Sequence, residues 1–309
     1  MAPTVQIIAL VAVGNLGKYV CEALIADIRY DVVKGHSLSP KYRVAYILTG
    51  TYQKRDWFSE RNIHTEESDY SESSIRAILD ASGASTLVSF LQAADTLYLD
   101  LHRAWLAACL QSKSCKRFIP SEWAGNVDDY PQLPKFYAES RLPFRRILQE
   151  TAGIEWTLFN CGWLMDYFLP QHLTRMPAEP DTFPIDPNAW HACIRGSGDE
   201  LQSWTQTKDV AAAVGELLAA PSWEPTTYVT GQWGTFNEAI RLLEAHYGRE
   251  FEKTYKTAEE IKGAVDDNLD LWMVSGAAAC PREKTLSQRD RYFRHINFAT
   301  LDDMLKGID

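Results

Sequence analysis

The 309-residue chain is 46% hydrophobic, enough to bury a sizeable core in one large domain or two modest ones. Its net charge of −10 works against nucleic acid as a general partner, because an acidic surface repels the phosphate backbone. The six cysteines include no CxxC pair, so neither a secreted disulfide framework nor zinc spacing is present, and free thiols in a reducing compartment are expected.

The apolar run over residues 5–13 reads as a buried first strand. Gly14 and Gly17 interrupt it well short of a membrane span, and no basic region precedes it. Neither signal peptide nor membrane anchor is expected, and the expected location is cytoplasmic. After a turn at 14–17, Val20, Leu24, Ile25 and Ile28 repeat at helical spacing. There follow a strand at 42–48, a helix at 73–81, strand 85–90, helix 96–110, strand 117–120, helix 142–150 and strand 155–159. Strands alternating with helices predict βαβ units: an α/β fold, a Rossmann-type doubly wound parallel sheet with right-handed crossovers.

Beyond Asn160 the pattern changes. Pro170, Pro177, Pro180, Pro184 and Pro187 punctuate a loop-rich stretch that reads as a substrate-side insertion. Helices are expected at 209–218 and 236–247, with a late strand at 228–230. The expected division is a core of 1–160, with 206–232 returning to it. A smaller C-terminal substrate subdomain takes 161–205 and 233–309.

The main chemical signal is the turn Val13-Gly14-Asn15-Leu16-Gly17 between the first strand and helix. Glycine allows close backbone approach to a pyrophosphate, and the helix N-terminus offers free N–H groups. The fingerprint is incomplete, since Val11 stands where a further glycine is expected and Ala12 follows it. The competing reading is a tight βα turn with no ligand. After the second strand, Thr49, Lys54 and Arg55 occur where an acid would select NAD, and this composition suits the 2′-phosphate of NADP(H). The alternative there is a solvated basic loop. Phe90, Leu91 and Gln92, at a strand end, and Ser121, at another, are expected to border the cofactor; packing and helix capping are the plainer roles. The seven histidines have no ligand-like spacing, so no metal site is expected.

Several segments resemble the NmrA-like and isoflavone-reductase-like branch of the atypical short-chain dehydrogenases. They are Gly14-Asn15-Leu16-Gly17, the run from Arg117 through Pro120-Ser121-Glu122-Trp123 to Gly125, Asn160-Cys161-Gly162-Trp163, Thr207-Lys208-Asp209-Val210-Ala211, and residues 254–260. The similarity runs over most of the chain. It implies a Rossmann core, a smaller substrate subdomain and NADP(H) in the cleft between them. It implies one of two roles: reduction of a small metabolite, or nucleotide binding as a redox sensor without catalysis. The Trp123-Ala124-Gly125 form looks fungal. Fungal members often serve specialised metabolism, including prenylated indole alkaloid pathways in which reduction can be coupled to a cycloaddition.

Reductases in this branch carry a lysine a few residues before a basic pair. Here that pair is Arg145-Arg146, and Arg141 takes the lysine's place. Lysine can pass a proton, whereas arginine stays charged. Tyr137 lies four residues before Arg141. On a continuous helix the two would share a face, and the cation would make the phenol a better proton donor. Pro143 counts against that helix, and an ordinary surface pair is the competing reading. Hydride addition to an iminium carbon needs no proton donor, only a nicotinamide, a dry pocket and a carboxylate for the cation, for which Glu122 or Asp166 is available. Trp123, Asn160, Trp163 and Phe168 are the expected pocket walls, with core packing as the alternative. The expected partner is a small molecule, with no membrane and no nucleic acid; the oligomeric state is left open.

Overall fold

The computed structural model describes residues 6–26, 28–29, 39–40, 42–48, 56–61, 63, 65–180, 182–263 and 269–308. The chain forms two compact units. The first comprises Met1–Glu122, Glu139–Leu158 and Val214–Pro225, and the second Trp123–Ala138, Phe159–Ala213 and Thr226–Asp309. The segment after Glu122 therefore groups with the second unit, and the returning segment is Val214–Pro225, against expected boundaries of 1–160 and 206–232.

The first unit is built on a six-stranded parallel sheet. Its strands are β1 (Gln6–Val11), β2 (Tyr42–Leu48), β3 (Thr65–Glu67), β4 (Thr86–Ser89), β5 (Arg117–Ile119) and β6 (Glu155–Trp156). Their spatial order is β3-β2-β1-β4-β5-β6. This order reverses between β1 and β4, the switch point at whose carboxyl edge open α/β sheets bind ligands. Register fixes that edge: Val11 lies opposite Ile47 on one side and Ser89 on the other. Residues 8–11 of β1 and all of β4 are buried, as expected of central parallel strands with both faces covered.

The connecting helices are α1 (Asn15–Ala26), α2 (Glu72–Ser82), α3 (Thr96–Gln111) and α4 (Arg141–Glu150). Helix α1 starts three residues before the expected 18, because the Lys18 amide already bonds to the Gly14 carbonyl at 3.1 Å. Ser71 caps α2, and its last turn is closed by the left-handed Gly83 (φ 72°). Asp95 caps α3 by accepting from the Leu97 amide. The strand expected at 155–159 is two pieces. Glu155–Trp156 closes the sheet as β6, and Leu158–Asn160 leaves it to pair with Thr226–Tyr228. Arg117 on β5 ties in the returning segment by donating to the carbonyls of Leu218 (3.2 Å) and Ala220 (2.9 Å) while it pairs with Glu155.

The second unit packs two three-stranded sheets and several helices around an aromatic core. One sheet orders Trp163–Leu164, Gln202–Thr205 and Gln232–Gly234, and the other Ile185–Asp186, His191–Arg195 and Glu252–Lys256. Phe168, Phe183, Trp204 and Phe236 are at most 2% exposed; Phe168 meets Phe183 and Trp204 edge-on, and Phe183 meets Phe236 edge-on. The Phe236–Tyr247 helix matches its expected bounds because Thr235 and Glu238 form a capping box and Gly248 ends it at φ 63°.

An ion triad, buried at Arg195 and Asp270 and half-buried at Lys256, fastens the sheet of His191–Arg195. Asp270 accepts from Arg195 Nε at 2.9 Å through one oxygen and from Lys256 through the other. Burial opposes the carboxylate, yet the hydrogen bonds from Lys256 and Arg195, with their charges, hold it below the ordinary aspartate range. Because the folded pKa is lowered, its stabilisation is present at neutral pH and lost as pH falls below about 4. Asp270→Asn is expected to cost about 2–4 kcal/mol at pH 7, since it removes the negative charge that Arg195 and Lys256 share. Thermal melts between about pH 3 and 7 should show the gap between wild type and variant closing in acid.

Candidate active site

The carboxyl edge at the switch point is shaped by the turn between β1 and α1. Val11 is fully buried at the end of β1. The left-handed residue is the next one, Ala12 at φ 56°. That is where the missing glycine is felt, since an L-residue in this region is strained by about 1–2 kcal/mol. Gly14 is exposed, and a Cβ there would find nothing within 4 Å. The amides of Asn15, Leu16 and Gly17 precede the first intrahelical bond and carry the positive end of the helix dipole. Val13 is buried, and its Cγ1 lies 2.8 Å from where a Gly17 Cβ would stand, with the Phe90 ring at 3.2 Å. Gly17 is thus needed for close packing of α1 on the ends of β1 and β4, as the third glycine of a dinucleotide turn is. Phe90 is buried, Leu91 donates its amide to Ser89 Oγ at 3.3 Å, and Gln92 is exposed. Thr49, Lys54 and Arg55 lie outside the described residues.

Beyond β5, the Glu122 carboxylate and the Ser121 amide are each tied to a helix of the same unit. Glu122 was expected to offer its charge to a substrate cation. Instead it forms a bidentate pair with Arg145 on α4, at 3.1 Å (Nε to Oε1) and 2.6 Å (Nη2 to Oε2), with both side chains at most 5% exposed. A carboxylate so enclosed is neutralised by its partner. Ser121, which is buried, donates its backbone N–H to His102 Nε2 on α3 at 3.2 Å.

Arg141 is also buried, at 6% exposure. Its guanidinium carbon lies 3.9 Å from the Tyr98 ring centroid, and Nη1 donates to the Ala93 carbonyl and to Ser140 Oγ. The expected same-face pairing with Tyr137 is overturned by local structure. Tyr137 sits in a separate 3-10 turn, Lys135–Ala138, and α4 begins only at Arg141. No continuous helix joins them, so the i,i+4 argument fails.

The expected pocket walls belong to the second unit, and most are spoken for. Asn160 is fully buried and its Oδ1 accepts from the Ala124 amide at 3.3 Å. Phe168 is fully buried between Phe183 and Trp204. Both are core residues rather than surfaces open to a ligand. Asp166 is committed through Oδ2 to the Thr207 amide at 2.7 Å, capping the helix that begins there. Trp163 is 6% exposed, donates to Gln202 Oε1 at 3.3 Å, and meets Trp272 edge-on at 4.9 Å. Trp123 is half-buried, left-handed at φ 48°, and packs on Phe159. Gly125 cannot carry a side chain: a Cβ there would stand 2.2 Å from the Ala277 carbonyl oxygen.

The proline-rich stretch of the second unit lines a small cleft, partly open to solvent. Asp166, Tyr167, Glu179, Phe183 and Asp186 are among its walls, and no lysine, arginine or histidine borders it among the described residues. Burial, then the charge of Glu179, pushes the Tyr167 phenol well above its ordinary range, so it remains an O–H donor. Among the described residues no group of histidine, cysteine and carboxylate side chains is placed to hold a metal ion, and no helix is long and apolar enough to cross a membrane. Sequence reasoning missed Tyr98, His102 and the role of Arg145; the only local signal was the i,i+4 spacing of Tyr98 and His102 on one helix.

Strand order, switch point and glycine turn define a Rossmann-type fold. No family model matches the sequence. It is 32% identical to oxidoreductase swnR of Arthroderma benhamiae, covering 98% of this chain and 97% of that one. It is 31% identical to oxidoreductase swnR of Metarhizium robertsii over the same shares. The chain belongs to this swnR family of oxidoreductases. More distantly, it is 25% identical to the isoflavone reductase homolog A622-like of Nicotiana tabacum, over 85% of this chain and 80% of that one. Among solved structures, AtPrR2 with NADP+ and (+)pinoresinol aligns at TM-score 0.72, 16% identity and full coverage of both chains. The ternary complex of leucoanthocyanidin reductase from Vitis vinifera aligns at 0.71 and 14% identity, covering 98% and 99%.

Gly17→Ala is expected to destabilise the first unit by about 1–3 kcal/mol, because Val13 and Phe90 must move to admit the methyl group. Gly14→Ala, with open space beside it, should stay within about 0.5 kcal/mol of wild type. Denaturant melts of the two variants check the contrast.

Proposed function

We propose that the protein is an NADPH-dependent reductase of fungal specialised metabolism that delivers hydride to an unsaturated carbon–nitrogen substrate, an iminium ion of an alkaloid-like compound. The observation that carries this reading is Arg141. At the position of the reductases' lysine stands a buried guanidinium, stacked on Tyr98 and bonded to the Ala93 carbonyl. Arginine does not release its proton, so the usual donor for carbonyl reduction is missing. An iminium carbon needs none. Hydride adds to carbon, the C=N π pair becomes the nitrogen lone pair, and a neutral amine results.

NADP(H) is supported by the turn and by the neighbours. Asn15, Leu16 and Gly17 amides, with the open approach at Gly14, fit a pyrophosphate. Thr49, Lys54 and Arg55 supply the sequence signal for a 2′-phosphate. Solved neighbours hold NADP+ or NADPH. When bound, the cofactor supplies the hydride. A ring closure coupled to reduction belongs to the same proposal, since a pocket that holds an extended substrate lowers the entropic barrier.

Fluorescence titration should give at least about tenfold tighter binding of NADPH than of NADH. Turnover assays should then show NADPH consumed with cyclic iminium substrates and not with the matching ketones. Preference for NADH, or carbonyl reduction that disappears in Lys135→Ala, would overturn the reading.

A further inference from the structure

Three segments leave the carboxyl edge of the first unit's sheet near its switch point: the residues after β4, those after β5, and the start of α4. One stack of side chains ties all three together. The Arg141 guanidinium lies on the Tyr98 ring at 3.9 Å, and Tyr98 lies on His102, with ring centroids 3.9 Å apart and planes 25° from parallel. At one end, Arg141 donates to the Ala93 carbonyl beyond β4. At the other, His102 Nε2 accepts the Ser121 amide beyond β5. Trp105, Phe118 and Phe144 enclose the imidazole, with ring centroids 5.0, 6.1 and 5.3 Å away.

The two hydrogen bonds of His102 fix its chemical form. Nδ1 lies 2.8 Å from the Tyr98 carbonyl oxygen, which can only accept, so Nδ1 carries the proton. The Ser121 amide can only donate, so Nε2 must be bare. A second proton would set two N–H groups against each other and add a charge to a site that holds Arg141. Burial lowers the imidazole to about 3, the Arg141 charge adds to the shift, and the Tyr98 bond opposes it. His102 is therefore neutral wherever the enzyme works and cannot be its acid.

We propose that His102 is a positioning residue for hydride transfer: its bare Nε2 holds the Ser121 amide, and through Tyr98 and Arg141 the same stack holds the Ala93 end of the β4 loop, so that both strand ends bordering the nicotinamide are set together. This rests on the reductase reading, because the strand ends matter only if a dinucleotide lies across them. It also gives the arginine at the lysine position a task that lysine cannot perform, since a flat guanidinium stacks on a phenol ring while bonding a carbonyl.

Two variants separate the roles. His102→Phe keeps an aromatic ring in the stack and leaves the Ser121 amide buried without an acceptor, and should weaken NADPH binding by about tenfold in fluorescence titration. His102→Gln returns a carbonyl acceptor and should stay within about threefold of wild type, with the pH profile of kcat/KM between about pH 5 and 9 unchanged in shape. Nitrogen-15 NMR of the wild type should show His102 Nε2 unprotonated throughout that range, a reading that stands even if His102→Phe fails to fold. Wild-type affinity in His102→Phe, a loss in His102→Gln as large as in His102→Phe, an inflection removed by His102→Gln, or a protonated Nε2 would each overturn the proposal. Absence of NADPH binding by the wild type would instead sink the reductase reading, and the NMR result would still judge the hydrogen-bond geometry.

Discussion

The buried fork between Glu122 and Arg145 fixes the point at which the chain leaves the sheet after β5. Two side chains removed from water are held at 2.6 and 3.1 Å, so neither partner can be lost without stranding a charge. Its consequence is geometric. Glu122 ends one part of the first unit, and α4, which supplies Arg145, lies in the next stretch of chain belonging to that unit. The pair therefore brings back to the sheet a chain that has been away for the whole of 123–138. Arg141 on the same helix is brought to Ala93 and Tyr98 as part of that return.

This arrangement explains how a site can keep the frame of a reductase while losing its proton donor. In α4 both buried cations are structural: Arg145 is matched by a carboxylate, Arg141 by an aromatic face and a carbonyl. The frame is then held by two guanidinium groups, each bonded in place. A lysine at 141 would be a compact, flexible ammonium without the planar fork, and the tie from α4 to the β4 loop would slacken. On the proposed reading, the residue at 141 works through geometry and not through proton transfer, and hydride addition without protonation is the matching chemistry.

The fold was legible where the signal was local. The apolar run of β1, the glycine turn and the capped helices each carry their instructions within a few residues, and the Phe236–Tyr247 helix came out at its expected bounds. β3 was missed because Thr65-Glu66-Glu67 is short, polar and at the sheet edge, where no hydrophobic period forms. The site was less legible because its partners are distant in sequence. Glu122 looked available until Arg145 was seen to hold it, Asp166 until it was seen to cap Thr207, and Asn160 until its oxygen was found on Ala124. A polar residue's availability depends on what has already bonded to it, and that is a tertiary fact.

The histidine shows the same limit from the other side. Judged by spacing, His102 had no partner histidine or cysteine and so no metal to bind, which led to its neglect. Its work needs none, because an imidazole with one donor and one acceptor can bridge a helix carbonyl and a strand-end amide that no other neutral ring would satisfy together. Such a residue is set by the mismatch it resolves: the Ser121 N–H leaves the ladder at the end of β5 and would otherwise be buried among rings without an acceptor. The sequence shows the ring, the structure shows the amide it satisfies, and only the two together show why a histidine stands among aromatics where phenylalanine would pack as well.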